Sequence, residues 1–170
     1  MKNTIITIFN EIRDIPFKIP LSTKDELLDC AGKSIMLRKK FEEIGLKTRF
    51  SVCLFNWDDL SLPDKINKFP HDKDCTHTFV EALINDKWVK FDPSWDRALE
   101  KKLKISYFDG ENDTILAVSP TELFDENKSE KIMKDQMDNF NNFLSDDLVR
   151  NGEFYNAINN YFAEIREESI

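Results

Sequence analysis

The sequence contains little of what several classes of protein require. Its 170 residues include four glycines and six prolines, too few for a collagen-like chain or a low-complexity linker. No run of about 18 apolar residues is present, so we expect no membrane-spanning helix and no membrane partner. The apolar stretch near Met1 is short and is followed by no small-residue cleavage pattern. We therefore expect no secretory signal and predict a cytoplasmic location.

Cysteine and clustered basic charge are also scarce. The three cysteines are an odd number, which argues against a disulfide framework. The one basic cluster, over residues 38–40, falls on a predicted helix and is typical of a solvated helix face. A nucleic-acid interface needs a larger basic patch to displace phosphate counterions, so we predict no nucleic-acid partner. Most of the net charge of −8 lies in residues 121–170, which hold five basic and twelve acidic residues.

The residues that are present predict one α+β domain over 1–170. Fourteen phenylalanines, three tryptophans and three tyrosines supply a large core. The apolar periodicities predict helices over 3–13, 30–44 and from Pro120 onward, with Gly152 between two apolar stripes, and strands over 47–57, 76–84, 87–91 and, more weakly, 102–108 and 114–118. That order of elements indicates a core over 1–120 and an acidic helical extension packed on it over 121–170.

Cys30 is the thiol whose position in the sequence predicts activation. It begins the predicted helix 30–44, directly after Asp29, which is a favourable N-cap residue. Backbone N–H groups and the positive end of the helix dipole stabilise a thiolate there. A buried, inert cysteine at a helix start is the alternative interpretation. By contrast, we expect Cys53 in a strand core and Cys75 at a loop edge.

His77 and Asp92 are predicted to meet across a hairpin. With a two-residue turn at 85–86, Phe79 lies opposite Asp92, and residues two apart on a strand share a face of the sheet. His77 and Asp92 are then diagonal neighbours about 7–8 Å apart, whereas a one-residue slip would put them on opposite faces. A carboxylate fixes the orientation of an imidazole and stabilises its protonated form. The pattern therefore predicts a triad of Cys30 as nucleophile, His77 as base and Asp92 as orienting carboxylate.

Zinc binding is an alternative use of some of these residues. His71, Cys75 and His77 lie close together in the sequence, and either of the other cysteines would complete four ligands. The spacing lacks a paired C-x-x-C, and a zinc site would leave Asp92 without a role. We therefore predict no metal site.

Two stretches of the chain resemble the transglutaminase-like superfamily, whose enzymes share a papain-like cysteine-protease core. The first is D-C-A-G-K-S-I-M-L over 29–37 with G-L-K-T-R over 45–49, and the second is H-T-F-V-E-A-L-I-N-D-K-W-V-K-F-D-P-S over 77–94. The segment I-R-D-I-P-F over 12–17 resembles the lead-in of that family, and the resemblance covers roughly residues 5–96. The chain departs from the family at Asp29, where many relatives have a small residue. It also lacks the upstream glutamine of papain-like proteases, since its only glutamine is Gln136.

The resemblance implies a papain-like α+β fold, a Cys30–His77–Asp92 triad, and no metal or organic cofactor. The expected activity is acyl transfer from an amide of a peptide or protein substrate through a thioester, with hydrolysis slightly favoured over transfer to an amine. The alternatives are a catalytically silent peptide-binding module, and acetyl or glycan-amide chemistry on the same core. The backbone N–H of Cys30 is one expected oxyanion donor, and the indoles of Trp57 and Trp95 are candidates for the second donor and for substrate contacts.

Overall fold

Five helices and a four-stranded antiparallel sheet make up the fold in the computed structural model, which describes residues 1–168. In chain order the elements are α1 (Lys2–Arg13), α2 (Cys30–Glu43), β1 (Thr48–Asn56), α3 (Asp64–Asn67), β2 (Asp74–Ile84), β3 (Lys87–Phe91), β4 (Pro120–Leu123), α4 (Glu126–Asp138) and α5 (Phe140–Glu167). The predicted α+β class is confirmed. Among residues 1–168, no helix combines the length and the apolar character that a membrane crossing needs.

The sheet runs in the order β3-β2-β1-β4, and all neighbouring strands are antiparallel. The β2–β3 hairpin has the predicted register, with Val80 opposite Phe91. Its turn residues Asn85 and Asp86 have φ angles of 50° and 63°, as a tight two-residue hairpin turn requires. The local turn chemistry therefore sets which residues of the two strands share a face.

Two apolar clusters cover the two faces of the sheet. The first lies between the face that carries Phe55 and Phe79 and the long helix α5. The second lies between the opposite face, which carries Val52 and Val80, and helices α1, α2 and α4. Strand β1 contributes alternate residues to both clusters, as its predicted alternation requires. The apolar stripe of α5 is buried in the first cluster, so this helix forms one wall of the core.

The weaker strand pair predicted over 102–108 and 114–118 does not form. Both segments are irregular, and the hydroxyl of Ser106 donates to the carbonyl of Ile115 at 2.6 Å where a strand ladder would use backbone groups alone. Between them, the carboxylate of Asp109 accepts hydrogen bonds from two backbone N–H groups of its own loop. Side chains thus satisfy backbone groups of this region, including the carbonyl of Ile115 that the prediction assigned to a ladder.

The C-terminal segment departs from the prediction at two points. Pro120–Leu123, predicted as helix, forms β4 along β1, because the edge of β1 presents backbone groups that need partners. The helical region then breaks at Asn139, and Gly152 lies inside the continuous helix α5. A glycine within a helix costs about 1 kcal/mol relative to alanine. Burial of Phe154 and Phe162 on the same helix outweighs that cost.

Candidate active site

Cys30 is the first residue of α2, and its surroundings are organised around that helix start. The carboxylate of Asp29 caps the helix by accepting a hydrogen bond from the backbone N–H of Gly32 at 2.9 Å. The carbonyl oxygen of Leu27 lies 2.1 Å from where a Cβ of Gly32 would stand, so only glycine fits there. The thiol of Cys30 interacts with the side chain of His77 and with the backbone N–H of Thr78, the next residue on β2.

His77 and Asp92 meet as the hairpin register requires. Nε2 of His77 lies 2.7 Å from Oδ2 of Asp92, and both side chains are buried. Because Asp92 occupies Nε2, Nδ1 is the ring nitrogen left for the side-chain hydrogen bond between His77 and Cys30. The fold thus brings the three predicted residues together in the order thiol, imidazole, carboxylate.

Asp92 is held by three further donors that the sequence pattern did not indicate. The backbone N–H and the hydroxyl of Ser94 donate to Oδ1 at 3.1 and 2.6 Å. The backbone N–H of Ala117 donates to Oδ2 at 2.7 Å. Burial alone would raise the pKa of Asp92, but these donors and His77 hold it below its usual range. Ser94 had a local signal, a serine two residues after an aspartate, whereas Ala117 arrives through the irregular 102–118 region.

The surroundings of His77 favour its protonated form. Burial by itself lowers the pKa of His77, because a low-dielectric environment disfavours charge. The negative charge and hydrogen bond of Asp92, together with the interaction with Cys30, outweigh burial and raise the pKa of His77 to about 10. At neutral pH the imidazole is therefore held in a form that can donate a proton.

The thiol of Cys30 is subject to opposing influences. Burial raises the pKa of Cys30, and the neighbouring carboxylate of Asp29 adds to this effect. The hydrogen bond and positive charge of His77 act in the opposite direction. Burial thus opposes the activation expected from the helix start, and the imidazolium of His77 is the main group that favours the thiolate.

The other two thiols lack such a cationic neighbour. Burial raises the pKa of Cys53 to about 12, and the negative charge of Asp92 adds to the effect. Burial likewise raises the pKa of Cys75 to about 12, with Asp147 as the first charged contributor. Cys53 lies in the strand core as expected, and Cys75 is the second residue of β2.

Cys30 and His77 line a cleft of about 270 Å³, while Asp92 lies behind His77. One wall is formed by the sheet and the segment before α2, and it is rich in aromatic rings. The opposite wall comes from the C-terminal helices, and its residues are Gln136, Phe140, Phe143, Leu144, Asp147, Arg150, Asn151 and Tyr155. Sequence reasoning missed this second wall because its residues all lie more than forty positions from any member of the triad, a separation that no local pattern spans.

Both predicted tryptophans line the cleft. Nε1 of Trp95 donates to the carbonyl of Ala117 at 3.0 Å, so this N–H already has a partner within the fold. Trp57 packs edge-on against Phe55, with ring centroids 4.9 Å apart. Gln136 also lines the cleft, although nothing in its sequence position indicated this.

The residues considered for zinc do not form a ligand set. His71 stacks on Phe154 with ring centroids 3.7 Å apart, and its Nδ1 lies 2.7 Å from the carbonyl oxygen of Phe69. His77 is engaged by the carboxylate and the thiol described above. Within residues 1–168, no three His, Cys, Asp or Glu side chains are grouped so that they could hold a metal ion.

The basic cluster of α2 is paired with acidic side chains. Arg38 lies 2.9 Å from Glu42 and 2.8 Å from Glu130, and Lys40 lies 3.0 Å from Glu43. These ion pairs compensate the positive charge of the cluster.

Comparison of the chain with models of protein families, with curated proteins and with solved structures gives no match. Function must therefore be inferred from the thiol, the imidazole and the carboxylate that the fold brings together.

Proposed function

We propose that the protein is a thiol-dependent acyl-transfer enzyme of the transglutaminase-like type, acting on an amide bond of a peptide or protein. The observation that carries the proposal is the hydrogen-bonded series Cys30–His77–Asp92. In it the thiol has the imidazole as a neighbour, and the imidazole has the carboxylate. The papain-like core belongs to the same proposal. Its supporting features are the thiol at the start of α2 and a hairpin that supplies both other groups.

The first half of the proposed reaction forms a thioester. The Cys30 thiolate, paired with the imidazolium of His77, attacks the amide carbonyl carbon, and the carbonyl π electrons move onto oxygen. The backbone N–H of Cys30, which has no partner within the first helical turn, is a candidate donor to that oxyanion. The imidazolium then gives its proton to the leaving amine, the C–N bond breaks, and the acyl group remains on sulfur.

The second half resolves the thioester. His77, neutral after the first half, takes a proton from water or from an amine as its oxygen or nitrogen attacks the thioester carbonyl, and the C–S bond breaks to return the thiolate beside the imidazolium. Water yields a carboxylic acid and an amine yields a new amide. Hydrolysis is slightly favoured because Cys30 is partly exposed, so water reaches it without a dedicated acceptor site.

The walls of the cleft support an apolar group beside the scissile amide. Aromatic side chains from both walls of the cleft, including Trp57 and Phe140, offer apolar surface. We include Trp57 and Trp95 as substrate contacts in the proposal, with Trp57 retained as a candidate second oxyanion donor.

A catalytically silent peptide-binding module is the second candidate. The observation that favours it is the burial of the Cys30 thiol, which raises its pKa and so lowers the thiolate population. Such a module would keep the cleft and its apolar walls but would form no thioester.

Trapping of the acyl-enzyme separates the two candidates. A peptide p-nitrophenyl ester is offered to the protein, and intact-mass spectrometry with peptide mapping locates the acyl group. We expect one acyl group on Cys30, none in Cys30→Ser, and normal labelling in Cys75→Ser, whose thiol lines the same cleft. His77→Gln should slow acylation by about 10²- to 10⁴-fold, the typical contribution of a general base.

Two results would reject the enzymatic proposal. Peptide binding without any adduct at Cys30 would identify the silent module. Equal labelling of Cys30, Cys53 and Cys75 would show that the triad does not make Cys30 more reactive than the other two thiols. The reaction is then repeated with a primary amine present. The mass of the released product, measured by mass spectrometry, distinguishes hydrolysis from amine transfer.

A further inference from the structure

Lys33 lies one turn after Cys30 on α2 and is fully buried. Its Nζ donates hydrogen bonds to three backbone carbonyl oxygens, those of Arg13 at 2.8 Å, Ile15 at 2.7 Å and Ser94 at 2.9 Å. An ammonium group has three N–H donors and no acceptor, so these three carbonyls satisfy it fully. A buried charge is costly unless it is hydrogen-bonded. The ammonium group therefore links the chain segments that supply these three carbonyls more specifically than neutral packing would.

The three carbonyls belong to segments on either side of the candidate site. Arg13 and Ile15 lie at the end of α1 and in the chain that leads to α2. Ser94 is the residue whose hydroxyl and backbone N–H hold the carboxylate of Asp92. A continuous series of hydrogen bonds therefore runs from α2 through Lys33 and Ser94 to Asp92, and onward to His77.

We infer that Lys33 is a positioning residue for the candidate site. Its ammonium group ties the first turns of α2, which carry Cys30, to the segment after β3 that carries the orienting carboxylate. It thereby sets the position of the Cys30 thiol relative to the imidazole of His77. The effect of Lys33 on turnover rests on the proposed function, whereas its effect on the thiol and the imidazole does not.

The charges facing Lys33 come from every element packed around it. They are Asp14 after α1, Asp92 and Asp96 after β3, and Arg166 on α5. Burial lowers the pKa of Lys33 to about 7, against the attraction of the three carboxylates. A neutral amine has two N–H groups for three carbonyls, so deprotonation removes one link of the series.

Lys33→Met tests the inference, because methionine fills a similar volume and has no donor. The readouts are the pKa of His77, from ¹⁵N NMR of its ring, and the rate of Cys30 alkylation by iodoacetamide. We expect a folded variant with a lower pKa of His77 and with alkylation slowed about 10- to 100-fold, as misplacement of a reacting pair by about 1 Å produces.

Two serine variants complete the design. Ser94→Ala removes the hydroxyl that holds Asp92, and its effect should be non-additive with that of Lys33→Met because both act through one carboxylate. Ser129→Ala is the matched control. Ser129, on α4, is also fully buried, and its hydroxyl accepts a hydrogen bond from the backbone N–H of Val52 at 3.1 Å. The control should leave Cys30 alkylation unchanged.

A folded Lys33→Met protein with an unchanged pKa of His77 and unchanged alkylation would overturn the inference. If that variant does not fold, a pH titration of the unaltered protein tests the inference. The ring resonances of His77 should then show an inflection at the pH where the Lys33 ammonium titrates, and a flat profile there rejects the inference. Thioester trapping in parallel separates the two proposals. An effect of Lys33 on the thiol without any thioester rejects the enzyme and keeps the positioning role.

Discussion

At the scale of single residues, the site depends on which charges each buried group meets. His77 contacts a carboxylate and a thiol, so it is the positively charged member of the triad. Asp92 keeps its negative charge because its carboxylate accepts four hydrogen bonds. Cys30 has this cation as a neighbour, and the other two thiols have carboxylates instead. Reactivity should therefore differ among three cysteines that all are buried or partly buried.

Alkylation by iodoacetamide, followed by peptide mapping, should modify Cys30 first. Cys53 and Cys75 have pKa values raised to about 12, so at pH 7–9 almost no thiolate is present at either position. His77→Gln should slow modification of Cys30 and leave the slow rates of the other two unchanged. Equal rates at all three thiols would contradict the role assigned to the imidazolium.

The raised pKa of His77 also predicts a pH dependence of stability. The pKa is about 10 in the folded protein and about 6.5 in the unfolded chain, so folding favours protonated His77. The stabilisation is complete below about pH 6.5 and is lost as the pH rises through about 10. We expect the difference in unfolding free energy between the unaltered protein and His77→Gln to shrink over that interval in urea titrations. A difference that grows with pH would contradict the assignment.

At the scale of elements, the helix start and the hairpin follow from local sequence. An aspartate N-cap and an Asn-Asp turn act through neighbouring backbone groups, so both were predictable, and the hairpin register followed from them. β4 was not predictable from its own four residues. It forms because the edge of β1 was unpaired, and β1 lies more than sixty residues earlier in the chain.

Asp29→Asn separates the capping role of Asp29 from its charge. Asparagine caps helices about as well as aspartate, so the thermal midpoint should change little. Loss of the negative charge should lower the pKa of Cys30 and accelerate its alkylation at pH 7. Asp125→Asn is the matched control, because Asp125 caps α4 in the same way, through the backbone N–H of Lys128.

Two outcomes would contradict this account of Asp29. Slower alkylation in Asp29→Asn would mean that the carboxylate assists the thiolate. An equal acceleration in Asp125→Asn would mean that the charge acts through the whole molecule instead of locally.

At the scale of the whole molecule, α5 serves both the core and the cleft. Its buried face packs in the first apolar cluster, where Phe162 meets Phe17 and Trp95 at ring-centroid distances of 5.9 and 5.5 Å. Its other residues, including Phe143, line the cleft. A helix with this much buried surface is part of the fold, and the cleft wall that it provides is correspondingly fixed.

Phe162→Ala and Phe143→Ala test that conclusion with the same substitution on one helix. Phe162 is 1% exposed, and its truncation should lower the unfolding free energy by about 3–5 kcal/mol. Phe143 is 48% exposed, and its truncation should cost about 1 kcal/mol or less. Both are measured by urea unfolding. If Phe162→Ala kept its stability but alkylated faster at Cys30, α5 would be a detachable lid.

The sequence by itself determined the features that depend on near neighbours. These are the helix that starts at Cys30, the strands around the 85–86 turn, and hence the common face of His77 and Asp92, because turn and cap chemistry act over a few residues. Only the tertiary structure decided that burial opposes ionisation of the thiol, that Ser94 and Ala117 hold the carboxylate, and that α5 closes one wall. Each of these depends on how much water packing removes and on contacts between distant segments, neither of which a local pattern encodes.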